Sequence, residues 1–137
     1  MNNNAKACVT ALRSGKYRQG KGFLNKDGDY CCLGVACEVY IQSHPDKLEK
    51  SIVAHDFGDT AYYGSGDDGT CCRLPKEVQQ WLDLTTNDGC FVLGTELAIQ
   101  LGAYSSLVTI NDSGQTFDQI ADLIECEPWR LFTVVYR

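Results

Sequence analysis

"GKGFLNKDGDYCCLGVACEVYI", residues 20–41, holds the two patterns that decide the fold class. In its first half, residues 23–24 and 30–32 flank "NKDGD", and an Asp-Gly pair between such runs is typical of a β-hairpin. In its second half, apolar side chains recur at helical spacing over residues 33–41, and Pro45 lies just beyond them. A hairpin that leads into an amphipathic helix predicts an α+β protein.

Further helices and short strands are predicted on both sides of this stretch. Residues 5–12 have one apolar face, a preceding Asn run that supplies an N-cap, and Gly15 as a stop. Thr116 caps a predicted helix over residues 117–126. The other predicted elements are helices at 75–84 and 95–101, a helical turn at 105–110, a tight linker at 111–114, and short strands at 61–63, 70–75, 90–93 and 131–135. We therefore expect one compact α+β domain over residues 1–137, with about five helical pieces and an irregular segment at 42–70.

The charge of the chain is divided unevenly along its length. The formal net charge is −6, yet residues 1–26 carry six cations and no acid, while residues 27–137 carry six cations and all 18 acids. An acidic chain lacks the positive footprint of a general nucleic-acid binder, so bulk nucleic acid is not an expected partner. The cationic start indicates either a small anionic partner or pairing with the acidic remainder inside the fold.

The chain has eight cysteines, and whether they form disulfides depends on the cellular compartment. The N-terminus has no apolar segment of the length found in secretory signals, and no run of 18 apolar residues is present. We therefore expect a cytoplasmic protein without a membrane span, in which the thiols stay reduced and behave as small buried hydrophobes.

Chemistry built on these cysteines is a weaker hypothesis. A zinc site could use Cys32 and Cys37 with Cys71 or Cys72 and one histidine, His44 or His55, but the usual C-x2-4-C pairing is absent. No residue pattern selects one thiol as a nucleophile. "DFG" at 56–58 copies a kinase motif, but the chain is too short for a kinase and lacks its catalytic loop. The sequence thus favours a protein without a metal, a cofactor or catalytic residues.

The candidate ligand-binding residues are cations and aromatics on either side of the predicted hairpin. "SGKYRQGKGF", residues 14–23, joins three cations to three glycines, which let a backbone approach an anion closely. Arginine binds a phosphate bidentately and lysine acts as a point charge, while aromatic rings stack on a base. Phe23 supplies a further stacking face. The residues assigned to the ligand are Arg13, Lys16, Tyr17, Arg18, Lys21, Tyr62 and Tyr63. One of the two adjacent tyrosines is expected to fill the core, and a structural basic turn is the alternative for the cations.

Three stretches together resemble a family of small, mostly uncharacterised proteins encoded by bacteriophages and prophages. They are "ALRSGKYRQGKGFL" with "YCCLGVACEVY", then "LPKEVQQWLDL", then "INDSGQTFDQIADLIE". The resemblance covers about half of the chain and implies no agreed activity. A phage origin implies an accessory role inside the host cell, and some such proteins counter bacterial defence by sequestering nucleotide second messengers.

The first hypothesis is thus a non-enzymatic binding protein for a nucleotide-like small molecule, a sponge for an immune signal. Sites of this kind often lie between protomers, which favours a homo-oligomer. Two alternatives stay open. One is an inhibitor or adaptor that binds a host protein through its acidic surface. The other is a cysteine-based zinc module.

Overall fold

The order of helices and strands confirms the α+β class. A computed structural model of the protein describes residues 1–65, 69–89, 106–126 and 131–132. Within these ranges the helices are α1 (Asn3–Arg13), α2 (Cys32–Ser43), α3 (Lys76–Leu82), α4 (Leu107–Asp112) and α5 (Phe117–Cys126). The strands are β1 (Arg18–Gln19), β2 (Asn25–Lys26), β3 (Asp29–Tyr30), β4 (Lys50–His55) and β5 (Gly58–Tyr63). The predicted strand at 90–93 and helix at 95–101 lie outside the described residues, as does most of the strand predicted at 131–135.

The strands form one mixed sheet with the order β1-β3-β2-β5-β4. The predicted hairpin is β2–β3, and both turn residues, Asp27 and Gly28, have positive φ (53° and 81°), as a two-residue type I′ turn requires. β1 was not predicted. It pairs in parallel with β3, while the other strand pairs are antiparallel.

Residues 42–70 are more regular than the sequence suggested. β4 and β5 pair over six residues each, from Lys50 opposite Tyr63 to His55 opposite Gly58, so the predicted strand at 61–63 is the end of a longer one. The strand predicted at 70–75 was wrong, because only an isolated bridge between Thr70 and Tyr63 forms there. All residues of β4 but the last are exposed, so the strand has no buried face. Its sequence therefore lacks the alternation of polar and apolar residues that indicates a half-buried strand.

Helix α2 forms the centre of the core. Residues 31–37 are all buried, and α2 packs against α1, α3 and α4. The prediction that Cys31 and Cys32 extend the hairpin was wrong. Cys31 is instead the N-cap of α2, where its Sγ accepts a hydrogen bond from the N–H of Gly34 (3.4 Å). Its extended backbone (φ −81°, ψ 170°) suits that role.

The two outer helices follow their sequence signals. Asn2 caps α1 by accepting a hydrogen bond from Ala5 N–H (2.8 Å). At α5, Thr116 Oγ1 accepts from Gln119 N–H (3.2 Å) while Gln119 Oε1 accepts from Thr116 N–H (2.9 Å), a reciprocal capping box. The apolar stripe of α5 is buried and packs against α1. No helix among the described residues is long and apolar enough to cross a membrane.

Candidate functional site

The cationic residues at the end of α1 have different environments. Arg13 donates through Nη2 to Asp122 Oδ1 at 2.8 Å and lies 3.3 Å from Glu125 Oε1, both on α5. Arg13 therefore joins two helices, and its charge is balanced within the fold. Lys16 is exposed, and only its backbone N–H has a partner, the hydroxyl of Ser14 (3.2 Å), among the described residues.

Arg18 and Tyr17 both contact the first hairpin. The Arg18 Nε donates to the carboxylate of Asp29, across the parallel pair of β1 and β3. The ring of Tyr17 meets that of Tyr30 edge to face at 5.2 Å, and its hydroxyl accepts from Gln42 Nε2 at 3.1 Å. Tyr17 is half-buried by these contacts, and Arg18 keeps 74% of its side chain exposed. Of the two, Arg18 has the more accessible side chain for a ligand.

The adjacent tyrosines of β5 point in opposite directions. Tyr63 is fully buried, and its hydroxyl is 3.5 Å from Asn25 Nδ2, which donates to it. Burial raises the pKa of Tyr63 well above its usual range. Its ring therefore has no exposed face, and Tyr63 is the tyrosine that fills the core. Tyr62 is half-buried, and its hydroxyl hydrogen-bonds to Nε2 of His55 at 3.0 Å.

The structure brings together a group of residues that we call the aromatic–lysine surface: Phe23, Lys26, His55, Phe57 and Tyr62. Phe57 stacks on Phe23 (centroids 5.6 Å apart, planes at 17°) and on His55 (4.7 Å, 8°). The Nζ of Lys26 lies 5.8 Å from the centroid of Phe23 and 5.6 Å from that of Phe57. Both distances are within the range of cation–π attraction. Because Phe57 is 52% exposed, much of this ring cluster faces solvent.

A small cleft connects this surface to the basic loop after α1. Its volume is about 160 Å³, and its lining residues are Gly20, Lys21, Lys26, Asp27 and Asp29. Both carboxylates already have partners, since Asp29 pairs with Arg18 and Asp27 accepts from the N–H of Asp59 (2.8 Å). Among the described residues, neither lysine makes an ion pair. The cleft thus presents two ammonium groups beside exposed aromatic rings.

Backbone geometry holds the two halves of this region together. Asp27 N–H donates to the carbonyl of Asp59 at 2.8 Å, which fixes the turn of the first hairpin against β5. Gly58 has φ +135°, and a Cβ there would collide with the side chains of Asp27 and Lys26. A glycine at position 58 therefore lets the β4–β5 turn, which carries Phe57, approach the first hairpin.

A larger cleft on the sheet is less suited to an anion. It measures about 450 Å³, and its charged residues are Asp27, Asp59 and Lys50. The single lysine is occupied, because Lys50 Nζ donates to Glu38 Oε1 at 2.6 Å. This leaves the smaller cleft, with Lys21 and Lys26, as the better candidate site for a negatively charged ligand.

The cysteines do not assemble a metal site in the part of the chain that the structure describes. No group of three or more His, Cys, Asp and Glu side chains there is placed to hold a metal ion, and Cys90 lies outside the described residues. Cys71 and Cys72 are neighbours, with their Sγ atoms 3.1 Å apart. Burial raises the pKa of Cys8 to about 12 and that of Cys31 to about 11, which makes these thiols poor nucleophiles.

Sequence reasoning missed Lys26, His55 and Phe57 as site residues. Phe57 lies within the "DFG" lettering at 56–58, which has no meaning outside a kinase, and His55 was considered only as a metal ligand. The signal that could have found His55 and Phe57 is the concentration of aromatics at 55–63 in a segment rich in glycine and aspartate. Their approach to Phe23 depends on the pairing of β2 with β5, which no local pattern specifies.

The fold and this surface define an α+β protein with an exposed cluster of aromatic rings and lysines. Residues 1–128 match a family described as "Domain of unknown function (DUF8296)", and the chain belongs to that family. No curated protein and no solved structure matches the chain.

Proposed function

We propose that this protein binds a small anionic ligand that carries a flat ring, such as a nucleotide, at the aromatic–lysine surface and the adjoining cleft. The observation that carries the proposal is the position of Lys26. Its Nζ lies within 6 Å of the rings of both Phe23 and Phe57, and it lines the same cleft as Lys21. The same part of the surface can therefore stack on a ring of the ligand and neutralise its phosphate.

The roles of the side chains follow from their chemistry. A base would stack against the exposed ring of Phe57 or its stacked neighbour His55, an interaction worth about 1–3 kcal/mol per base in single-stranded nucleic-acid complexes. Lys21 and Lys26 would neutralise phosphate as point charges. Arg18, whose largely exposed side chain pairs with the cleft residue Asp29, would add a further cationic contact. Lys16 would contribute at longer range.

The surface offers binding groups and no evident reaction. A binder of this kind acts by sequestration, so the resemblance to phage-encoded proteins makes bacterial nucleotide signals the first ligands to test. Because the protein is acidic overall, a compact ligand that reaches only the basic cleft is favoured over a long polyanion. The carboxylates beyond the cleft would repel an extended nucleic acid.

The experiment is calorimetric titration and thermal unfolding with cyclic dinucleotides, ADP-ribose and inorganic phosphate as separate ligands. A ligand at 100 times its dissociation constant stabilises the native state by about 2.7 kcal/mol, which a melting curve resolves. The affinity should fall with added salt, because ammonium–phosphate attraction is screened. Inorganic phosphate should bind more weakly than the nucleotides, since it has no ring to stack.

Matched variants locate the site. Lys26→Gln and Phe57→Ala should each weaken binding about tenfold, the equivalent of 1.4 kcal/mol. Lys47→Gln is the control, since Lys47 is also an exposed lysine but lies outside the aromatic–lysine surface. If all the nucleotides gave flat titrations, the proposal would be lost and the acidic-surface inhibitor would become the leading hypothesis.

A further inference from the structure

The β4–β5 hairpin exposes an apolar strand at the edge of the sheet. Among the described residues, the exposed large hydrophobic side chains are Ile52 (65%), Val53 (42%) and Phe57 (52%), and all three belong to this hairpin. β4 is the last strand in the sheet order, and no described strand pairs with its outer side. An exposed edge of six residues is a template for pairing with another strand.

The hydrogen-bond pattern shows which backbone groups are free. Gly64 N–H donates to Glu49 O at 2.9 Å, whereas Tyr63 N–H points the other way and donates to Thr70 O at 2.8 Å. In an antiparallel pair, successive residues alternate between facing the partner strand and facing away. Since Tyr63 is opposite Lys50, the backbone groups of Lys50, Ile52 and Ala54 face the open edge.

The usual features that protect an edge strand are missing from β4. It contains no proline, and its pairing with β5 runs without interruption over six residues, so no bulge turns the edge away. Lys50 is the cation in the strand, but it does not project outward. Its Nζ pairs with Glu38 at 2.6 Å and lies 5.7 Å from the centroid of the Tyr63 ring.

We propose that β4 is a dimerisation edge, paired antiparallel with β4 of a second copy of this chain in a register that places Ile52 opposite Ile52. A two-fold axis at Ile52 sets Lys50 opposite Ala54 of the partner subunit, so all three outward-facing residues of each strand are hydrogen-bonded. The same register sets Glu49 opposite His55 of the partner subunit, on both sides of the axis. The strand is thus complementary to itself in backbone groups, and each Glu49 carboxylate lies opposite an imidazole ring that can donate a hydrogen bond.

A second copy of β4 fits this edge better than an arbitrary peptide would. The two-fold axis buries Ile52, the most exposed of the three apolar side chains, against its own copy, and it places Val53 opposite the small Ser51 of the partner subunit. Any other extended segment would have to supply a hydrogen-bond donor for Glu49 and an apolar side chain for Ile52. The dimer does not depend on the proposed ligand.

The test is sedimentation velocity over a wide range of protein concentrations, with circular dichroism to confirm the fold. The wild-type chain should dimerise reversibly. Ile52→Lys places two ammonium groups at the axis and should weaken the dimer at least about tenfold. Ala7→Lys is the control, because it adds the same charge at an exposed position on α1 and should leave the dimer unchanged.

Charge exchange checks the register and covers the case in which Ile52→Lys fails to fold. Glu49→Lys should weaken the dimer, and the double variant Glu49→Lys with His55→Glu should restore it. A wild-type chain that stays monomeric at all concentrations overturns the proposal. So does an Ile52→Lys variant that folds and dimerises like the wild type, or a double variant that dimerises no better than Glu49→Lys alone.

Discussion

The side-chain amide of Asn111 donates to the carbonyl of Gly20 at 2.8 Å, and this contact ties the basic loop to helix α4. Its Oδ1 accepts from Gln19 Nε2 (2.9 Å) and from the backbone N–H of Cys32 (3.2 Å). Asn111 is completely buried. One side chain therefore fixes β1, the cleft residue Gly20 and the start of α2 relative to one another.

Asn111→Ala should strongly destabilise the protein. The change leaves the buried Cys32 N–H and the half-buried Gly20 carbonyl without their partner, and a buried unpaired group costs about 1–3 kcal/mol. We expect a total loss of about 3 kcal/mol in urea unfolding. Asn87→Ala, at an exposed position, is the matched control and should change stability by less than about 0.5 kcal/mol. Equal stability of the two variants would contradict this role for Asn111.

Gly34→Ala should be more damaging than an ordinary substitution in a helix. In an exposed helix, replacing glycine by alanine stabilises by about 1 kcal/mol. At Gly34 the new Cβ would overlap the backbone carbonyl of Leu24, where α2 crosses the first hairpin. The sign should therefore reverse, with a loss of more than about 3 kcal/mol and a low yield of folded protein.

Gly15→Ala provides the comparison for Gly34. Gly15 has φ +76° but has open space around its Cα, so its substitution carries only the backbone cost, about 1–2 kcal/mol. Thermal unfolding should rank Gly34→Ala well below Gly15→Ala in stability. The reverse order would show that the helix–hairpin contact relaxes easily.

Stability should fall as the pH rises above about 9. Burial holds the pKa of Cys8 at about 12 and that of Cys31 at about 11, and it raises the pKa of Cys32 and Cys37 as well, whereas a thiol in the unfolded chain titrates near 9.0. Below pH 9.0 both states keep the proton, so these groups do not alter stability. Above it the unfolded state loses the proton first, and each buried thiol costs about 1.4 kcal/mol per pH unit.

Urea unfolding at about pH 8 and about pH 10 measures this effect. Cys8→Ala should reduce the loss between the two pH values by the share of one thiol. Cys126→Ala, which removes an exposed thiol, is the control for the substitution itself. A pH dependence that is identical in all three proteins would show that the Cys8 thiol does not contribute.

Arg13 should prove structural, although the sequence grouped it with the ligand-binding cations. Its ion pairs with Asp122 and Glu125 connect α1 to α5, and exposed pairs of this kind stabilise a fold only slightly. Arg13→Ala should lower stability slightly and leave nucleotide affinity unchanged. Lys21→Ala should leave stability unchanged and weaken nucleotide binding in the same two assays. A loss of affinity in Arg13→Ala at unchanged stability would place Arg13 in the site.

Local patterns were sufficient for several elements. The Asp27-Gly28 turn, the Asn2 cap of α1 and the capping box at Thr116 all depend on residues within three or four positions of each other. The tight linker predicted at 111–114 was wrong in part. Asn111 and Asp112 belong to α4, since the buried contacts of the Asn111 side chain outweigh the turn preference of Asn and Asp.

The sequence by itself determined the α+β class, the hairpin and the capped helices. Its prediction that the thiols are buried was right for Cys8, Cys31, Cys32 and Cys37 and wrong for Cys72 and Cys126, which are exposed. Tertiary structure decided what these elements do together. The pairing of β2 with β5 brings Phe57 onto Phe23 and beneath Lys26, although they are about thirty positions apart in the chain. It also leaves β4 at the edge of the sheet. Strand pairing depends on non-local hydrogen bonds and packing. The periodicity of one segment therefore does not predict which strand it pairs with.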